Sequence, residues 1–185
     1  MPPKAKLKEK DILNGALEEV REKGFGSLNA RALAKRLGCS TFPIFSCFGN
    51  MEGLKEAIVK KILEIYGAFI EEGLKEKKGF KGVGKAYIRF ARREPNLFRL
   101  LFMSAKEGAA FPSADPNAPR ISDAAATASE LNKEKTEKLY LEMWIFVHGI
   151  AAMIVTGTAE FTEEQIDCML TDVFQGIKNK LKEEV

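Results

Sequence analysis

The side chains of this sequence that could carry reaction chemistry are few and scattered. There is one histidine, His148, and there are three cysteines, Cys39, Cys47 and Cys168. Cys39 and Cys47 stand eight apart with no histidine nearby, which does not make a zinc site. No nucleophile motif, phosphate loop or metal-ligand spacing is present, so little is left for an enzyme to use. Catalytic residues, metals and cofactors are therefore not expected. The sequence does offer groups suited to contact. Thr41, Phe42, Ser46 and Cys47 cluster on one short segment, with hydroxyls for phosphates or base edges and a ring for a thymine methyl. A second set, Tyr87, Phe90, Phe98, Phe102 and Trp144, suits an effector pocket or a plain core equally. His148 lies four residues after Trp144 and is expected as a buried, hydrogen-bonded histidine beside them, a further ligand candidate.

Charge placement says where a polyanion would go. The net charge is only +3. Residues 1–50, however, hold nine Lys/Arg against five Asp/Glu, while the remainder holds 20 against 21. The excess positive charge sits in the first quarter of the chain. Hydrophobic residues make up 45% of the sequence, enough for a sizeable core and against disorder of the whole chain. The residues from Met1 to Lys8 have no apolar run behind their charges, and the cysteines are odd in number. Reduced thiols in a cytoplasmic protein are expected. The longest apolar stretch, Met143 to Val155, falls short of the roughly 20 residues that span a bilayer, and a buried helix is expected there.

The elements that must position these groups read as helices throughout. Ile12, Leu13, Ala16, Leu17 and Val20 mark one face of a helix from about Lys8 to Lys23, stopped by Gly24. Asn29 is a good N-cap for a short helix with Ala30, Leu33, Ala34 and Leu37 inside, ended by Gly38. Ser40 is expected to cap a third short helix, with Pro43 in its first turn, ending near Phe48. A long helix follows from about Met51 to Lys77, broken by Gly79 and Gly82. A fifth runs from about Lys81 to Arg93, and a very apolar sixth from Asn96 to about Lys106. Residues 108–120, rich in Pro, Ala, Ser and Asn, read as a loop. Helix resumes near Ile121 and runs to Gly157 with a break around Leu131–Lys133. The last begins near Thr162, which forms a capping box with Gln165. No strand pattern or internal repeat appears.

The pair Asn29–Leu37 and Ser40–Phe48, joined through Gly38, is the arrangement of a helix-turn-helix. Its turn needs a small residue, and its second helix projects polar groups into a DNA groove. Here the sequence resembles the TetR family of bacterial regulators. The matching residues are Gly24-Phe25, Asn29-Ala30-Arg31-Ala32-Leu33-Ala34, Leu37-Gly38-Cys39-Ser40, Ile44-Phe45, Phe48, Asn50, Glu52 and Leu54, over about residues 8–56. Further on, Glu94 to Phe102, and Trp144, His148 and Gly149, look like segments of one branch of that family's sensor domains. The resemblance implies an all-α protein of about nine helices. Residues 1–50 would form a DNA-binding head, and residues 51–185 a ligand-sensing and dimerising domain. It implies DNA contacts at Asn29, Arg31, Ser40, Thr41, Phe42, Phe45, Ser46 and Asn50. It also implies a double-stranded operator, a small-molecule effector and a homodimer formed by helices at about 136–157 and 162–182. The implied function is a regulator, usually a repressor, released from DNA by its effector.

The chain departs from the family pattern at three places. Phe45 stands where a tyrosine is usual, Met51 where a lysine is usual, and Cys47 where a histidine or tyrosine is common. Each lost phosphate contact lowers the salt slope of binding by about 1. Lys4, Lys6, Lys8 and Lys10 are candidates to compensate. The alternative expectation is a helical ligand-binding protein whose head is weakened or lost, and an enzyme on a helical bundle is the least supported.

Overall fold

Local signals set most helix ends. The computed structural model describes residues 7–104 and 115–184, and every regular element among them is helical. The elements are α1 (Glu9–Lys23), α2 (Ala30–Leu37), α3 (Phe42–Phe48), α4 (Met51–Leu74), α5 (Gly79–Arg93), α6 (Pro95–Phe102), α7 (Ala118–Ser129), α8 (Lys133–Thr156) and α9 (Glu163–Glu183). One short 3-10 turn, Phe25–Ser27, precedes α2. The expected all-helical class and count of about nine are what the described residues show. Lys4, Lys6, the expected end of the sixth helix near Lys106 and residues 108–114 of the expected loop lie outside them.

The chain divides into two compact units. One comprises residues 1–64 with 96–103, the other residues 65–95 with 104–185. The compact units part within α4, and α6 from Asn96 onward belongs to the first.

In the first unit α1, α2 and α3 pack together around Ile12, Ala16, Val20, Leu33 and Ile44, none more than 5% exposed. Ile44 is the buried anchor of α3. Leu54, Ile58 and Ile62 of α4, and Leu97, Phe98 and Leu101 of α6, extend this core. Asn96 donates through Nδ2 to the carbonyl of Arg21 at 2.7 Å, satisfying an acceptor that the last turn of α1 leaves open. Glu19 is buried on α1 and would be costly alone. It meets Lys23 at 2.9 Å and Arg36 of α2 at 2.8 Å, and Arg36 also pairs with Glu22. The hydrogen bond from Lys23, with that from Arg36, holds the Glu19 carboxyl below the usual carboxylate range.

The second unit is built on α5, which packs against α7, α8 and α9. Gly79 and Gly82 are expected to break the long fourth helix; that helix ends earlier, at Leu74, and both glycines lie within α5. A Cβ on Gly82 would stand 2.2 Å from the carbonyl oxygen of Gly73, and one on Gly73 would stand 2.6 Å from that of Gly82. Gly73 and Gly82 serve backbone-to-backbone approach of α4 and α5, which sequence spacing does not reveal. The break before α8 is at Glu130, a left-handed residue at φ 56°. The Thr162–Gln165 capping box forms at the start of α9, as expected.

One described helix, α8, is long and apolar enough to cross a membrane by length and composition. Its inner face, with Leu139, Met143, Val147, Ile150 and Ala151, is buried against protein, while Leu141, Ile145 and Met153 are exposed.

Candidate functional site

The first candidate site is the outer face of α2 and α3. The turn between them is a Schellman motif: Gly38 takes a left-handed φ of 63°, and the N–H of Cys39 donates to Ala34 O at 3.0 Å. This closes α2 and starts α3 within four residues. Ser40 was expected to cap α3. Instead Thr41 occupies the N-cap position, in helical φ/ψ and with no side-chain cap bond. Pro43 in the first turn removes one N–H that a cap would have served, so the Ser40 and Thr41 hydroxyls are not consumed there.

With Ile44 turned inward, α3 presents its other faces outward. Phe42 is 76% exposed and Phe45 39%, and Ser40, Ser46 and Cys47 are exposed as well. Asn29 accepts from the N–H of Ala32 at 2.9 Å and donates to Ser27 O at 3.0 Å, which is the cap its position implied. Asn50 accepts from Gly53 N at 2.9 Å, closing the first turn of α4. Arg31 is exposed and makes no ion pair among the described residues. Lys35, which the residue pattern did not single out, is likewise exposed on α2, whereas its neighbour Arg36 is committed to Glu19 and Glu22. Lys8 and Lys10 lie at the start of α1, with Lys10 exposed.

The second candidate site is a cavity of about 590 Å3 inside the second unit. Of the expected ligand residues, Tyr87 and Trp144 line it. His148 stands just behind them, its ring stacked on Trp144 with centroids 5.3 Å apart and its Nδ1 3.0 Å from the Tyr87 hydroxyl. Phe90 is fully buried but packs on Tyr66 and Phe69 rather than facing the cavity. Phe98 and Phe102 meet at a tilt, with ring centroids 5.0 Å apart, within the first unit, and neither is among the lining residues.

Among the lining residues that the residue pattern did not single out are Tyr66, Tyr140 and Asp115. Asp115 is 5% exposed, and its carboxylate accepts from the Tyr66 hydroxyl at 2.7 Å and from Asn117 N at 2.8 Å. Burial pushes the Tyr66, Tyr87 and Tyr140 phenols above the usual range, and the Asp115 charge pushes each further. Burial also holds His148 below the usual imidazole value. Tyr140 precedes Trp144 by one helical turn, a spacing that could have flagged it. The rest of the wall is apolar, including Phe80, Val83, Met143, Val147 and Leu170. No cluster of His, Cys, Asp or Glu among the described residues could hold a metal.

An exposed helix-turn-helix in one compact unit and an apolar cavity in an all-helical second define the class of two-part helix-turn-helix regulators. The comparisons carry this to a family. Residues 80–173 match the family model of the tetracyclin repressor-like C-terminal domain. An uncharacterised HTH-type transcriptional regulator of Mycobacterium tuberculosis is 24% identical over 183 residues, covering 91% of this chain and 79% of that protein. A TetR-like transcriptional regulator from Rhodococcus sp. shares the fold with a TM-score of 0.70 at 14% identity, over 95% of this chain and 96% of that one. A TetR variant from Acinetobacter baumannii in complex with minocycline gives 0.55 at 16% identity, over 96% and 97%. The chain belongs to the TetR family of transcriptional regulators.

Proposed function

We propose that this regulator is a homodimeric repressor that binds a near-palindromic operator through α3 and leaves it when a small molecule fills the cavity of the second unit. The observation that carries the DNA half is the outward face of α3: hydroxyls and two aromatic rings held in the open by one buried anchor, Ile44. Ser40, Thr41, Phe42, Phe45 and Ser46 are its base and phosphate contacts, with Asn29, Arg31 and Asn50 on the flanking backbone. Two such helices in a dimer meet successive major grooves about 34 Å apart. The apolar outer face of α8, with Leu141, Ile145 and Met153 exposed, supports pairing with a second copy alongside α9. Effector control follows when the ligand prefers the state that does not fit DNA. Free thiols at Cys39, Cys47 and Cys168 suit work in the cytoplasm.

A second reading rests on Phe45 and Met51, which lack the hydroxyl and charge the family commonly sets against phosphates. On it, the protein is a helical ligand binder with a weakened head. Transcription from a promoter carrying the recovered site tests the repressor assignment. The protein should lower it, and a rise in transcription would make the protein an activator instead.

A further inference from the structure

The cavity holds a charge that its architecture does not require. Asp115 lines it, nearly sealed from solvent, and its carboxylate is met by neutral donors: the Tyr66 hydroxyl at 2.7 Å, Asn117 N at 2.8 Å and Asn117 Nδ2 at 3.0 Å. No lysine or arginine among the described residues pairs with it. One of those bonds, from Asn117 N, makes an Asx turn leading into α7, and a neutral asparagine would make that turn as well. A buried anion without a counter-ion is costly, so the charge needs another reason.

The positive groups nearby are already accounted for. Lys81 lines the cavity but is neutralised by Asp167 at 2.6 Å and hydrogen-bonded to Thr171 at 2.7 Å. Lys77 and Lys78 are exposed on the lining's edge, where salt screens them. His148, behind the wall, is held neutral by its burial. The cavity that Asp115 lines is also lined by Tyr66, Tyr87, Tyr140 and Trp144, aromatic rings of the kind that attract a desolvated cation.

We propose that the effector is an organic cation, an amine or ammonium group on an apolar body, with its positive charge at Asp115 and its body along the apolar wall. This rests on the reading of the cavity as the effector site and adds its charge class. The body meets Met143, Val147 and Leu170, and the ammonium replaces the missing counter-ion.

The test uses the full-length protein and three probes of one shape: 4-phenylbutylamine, 4-phenylbutan-1-ol and 4-phenylbutanoate. Trp144 is the single tryptophan and lines the cavity, so its fluorescence reports binding there. The amine should bind about 30-fold tighter than the alcohol, the equivalent of about 2 kcal/mol, and the acid weakest. Asp115→Asn should remove the preference for the amine over the alcohol. Equal binding of amine and alcohol, tightest binding of the acid, or a preference that survives Asp115→Asn would each overturn the cation assignment and leave the effector cavity standing. Failure of all three probes to perturb Trp144 in the wild-type protein would overturn both. Should Asp115→Asn fail to fold by circular dichroism, the order of the three probes on the wild-type protein decides.

Discussion

Phe42 separates what α3 needs for folding from what it offers to DNA. The side chain is 76% exposed. A phenylalanine has roughly 200 Å2 to bury, so about 50 Å2 is covered by the protein and about 150 Å2 is open. At about 25 cal/mol per Å2, Phe42→Ala costs at most about 1 kcal/mol of stability. Covering the open part completely would contribute up to about 4 kcal/mol to a complex. A ring lying with one face against a groove covers about half, which is about 2 kcal/mol or roughly 30-fold in affinity. Fluorescence anisotropy on a recovered operator should show that loss for Phe42→Ala, with an unfolding midpoint close to wild type. Replacing the contacted thymine by uracil, which lacks the methyl group, should cost the wild type more than it costs Phe42→Ala. Ile44→Ala gives the opposite pattern: fully buried, it should lose about 3 kcal/mol of stability. An affinity for Phe42→Ala within twofold of wild type would refute the placement of this ring against DNA.

Restoring the family's phosphate groups with Phe45→Tyr and Met51→Lys should tighten operator binding at low salt and steepen its log–log salt dependence by about 1 for each added contact. Gly82→Ala, which in an open helix would stabilise by about 1 kcal/mol, should destabilise by about 2 kcal/mol in chemical unfolding, because its Cβ would meet the Gly73 carbonyl at 2.2 Å. In analytical ultracentrifugation the wild type should sediment as a dimer and Ile145→Glu, at a residue 57% exposed, as a monomer with the helical circular dichroism spectrum kept. His148 is held below the usual imidazole value by burial, so the unfolded chain takes up its proton first as pH falls. The associated stability is complete above the unfolded value of about 6.5 and is lost as pH drops from there through the folded value. Thermal unfolding from pH 8 to 5 should show this decline, and His148→Gln should remove it.

What could be seen in the sequence was local. Gly24 and Gly38 end their helices at positive φ, Asn29 caps α2, and Thr162 with Gln165 opens α9, because each device is complete within a few residues. Gly82 was misread because its reason is a carbonyl on another helix. Ser40 was given the cap that falls to Thr41, since Pro43 changes which N–H groups the first turn exposes. The outer face of α3 could be listed residue by residue, as the inward Ile44 sets the orientation of a short helix. The cavity was half visible. Tyr87 and Trp144 lie on apolar helical faces and were found, whereas Phe98 and Phe102 share their composition but sit in the other unit. Asp115 fell in a proline-rich stretch that reads as loop, and its partner Tyr66 is 49 residues away. No spacing rule joins the two.

The central claim, that α3 reads DNA sequence, is tested most directly by selecting bound fragments from a random pool with the full-length protein. The account predicts a near-palindromic site whose half-sites are about 10 base pairs apart, centre to centre, and whose enrichment drops with Phe42→Ala. Fragments without a shared sequence, or none retained, would contradict it.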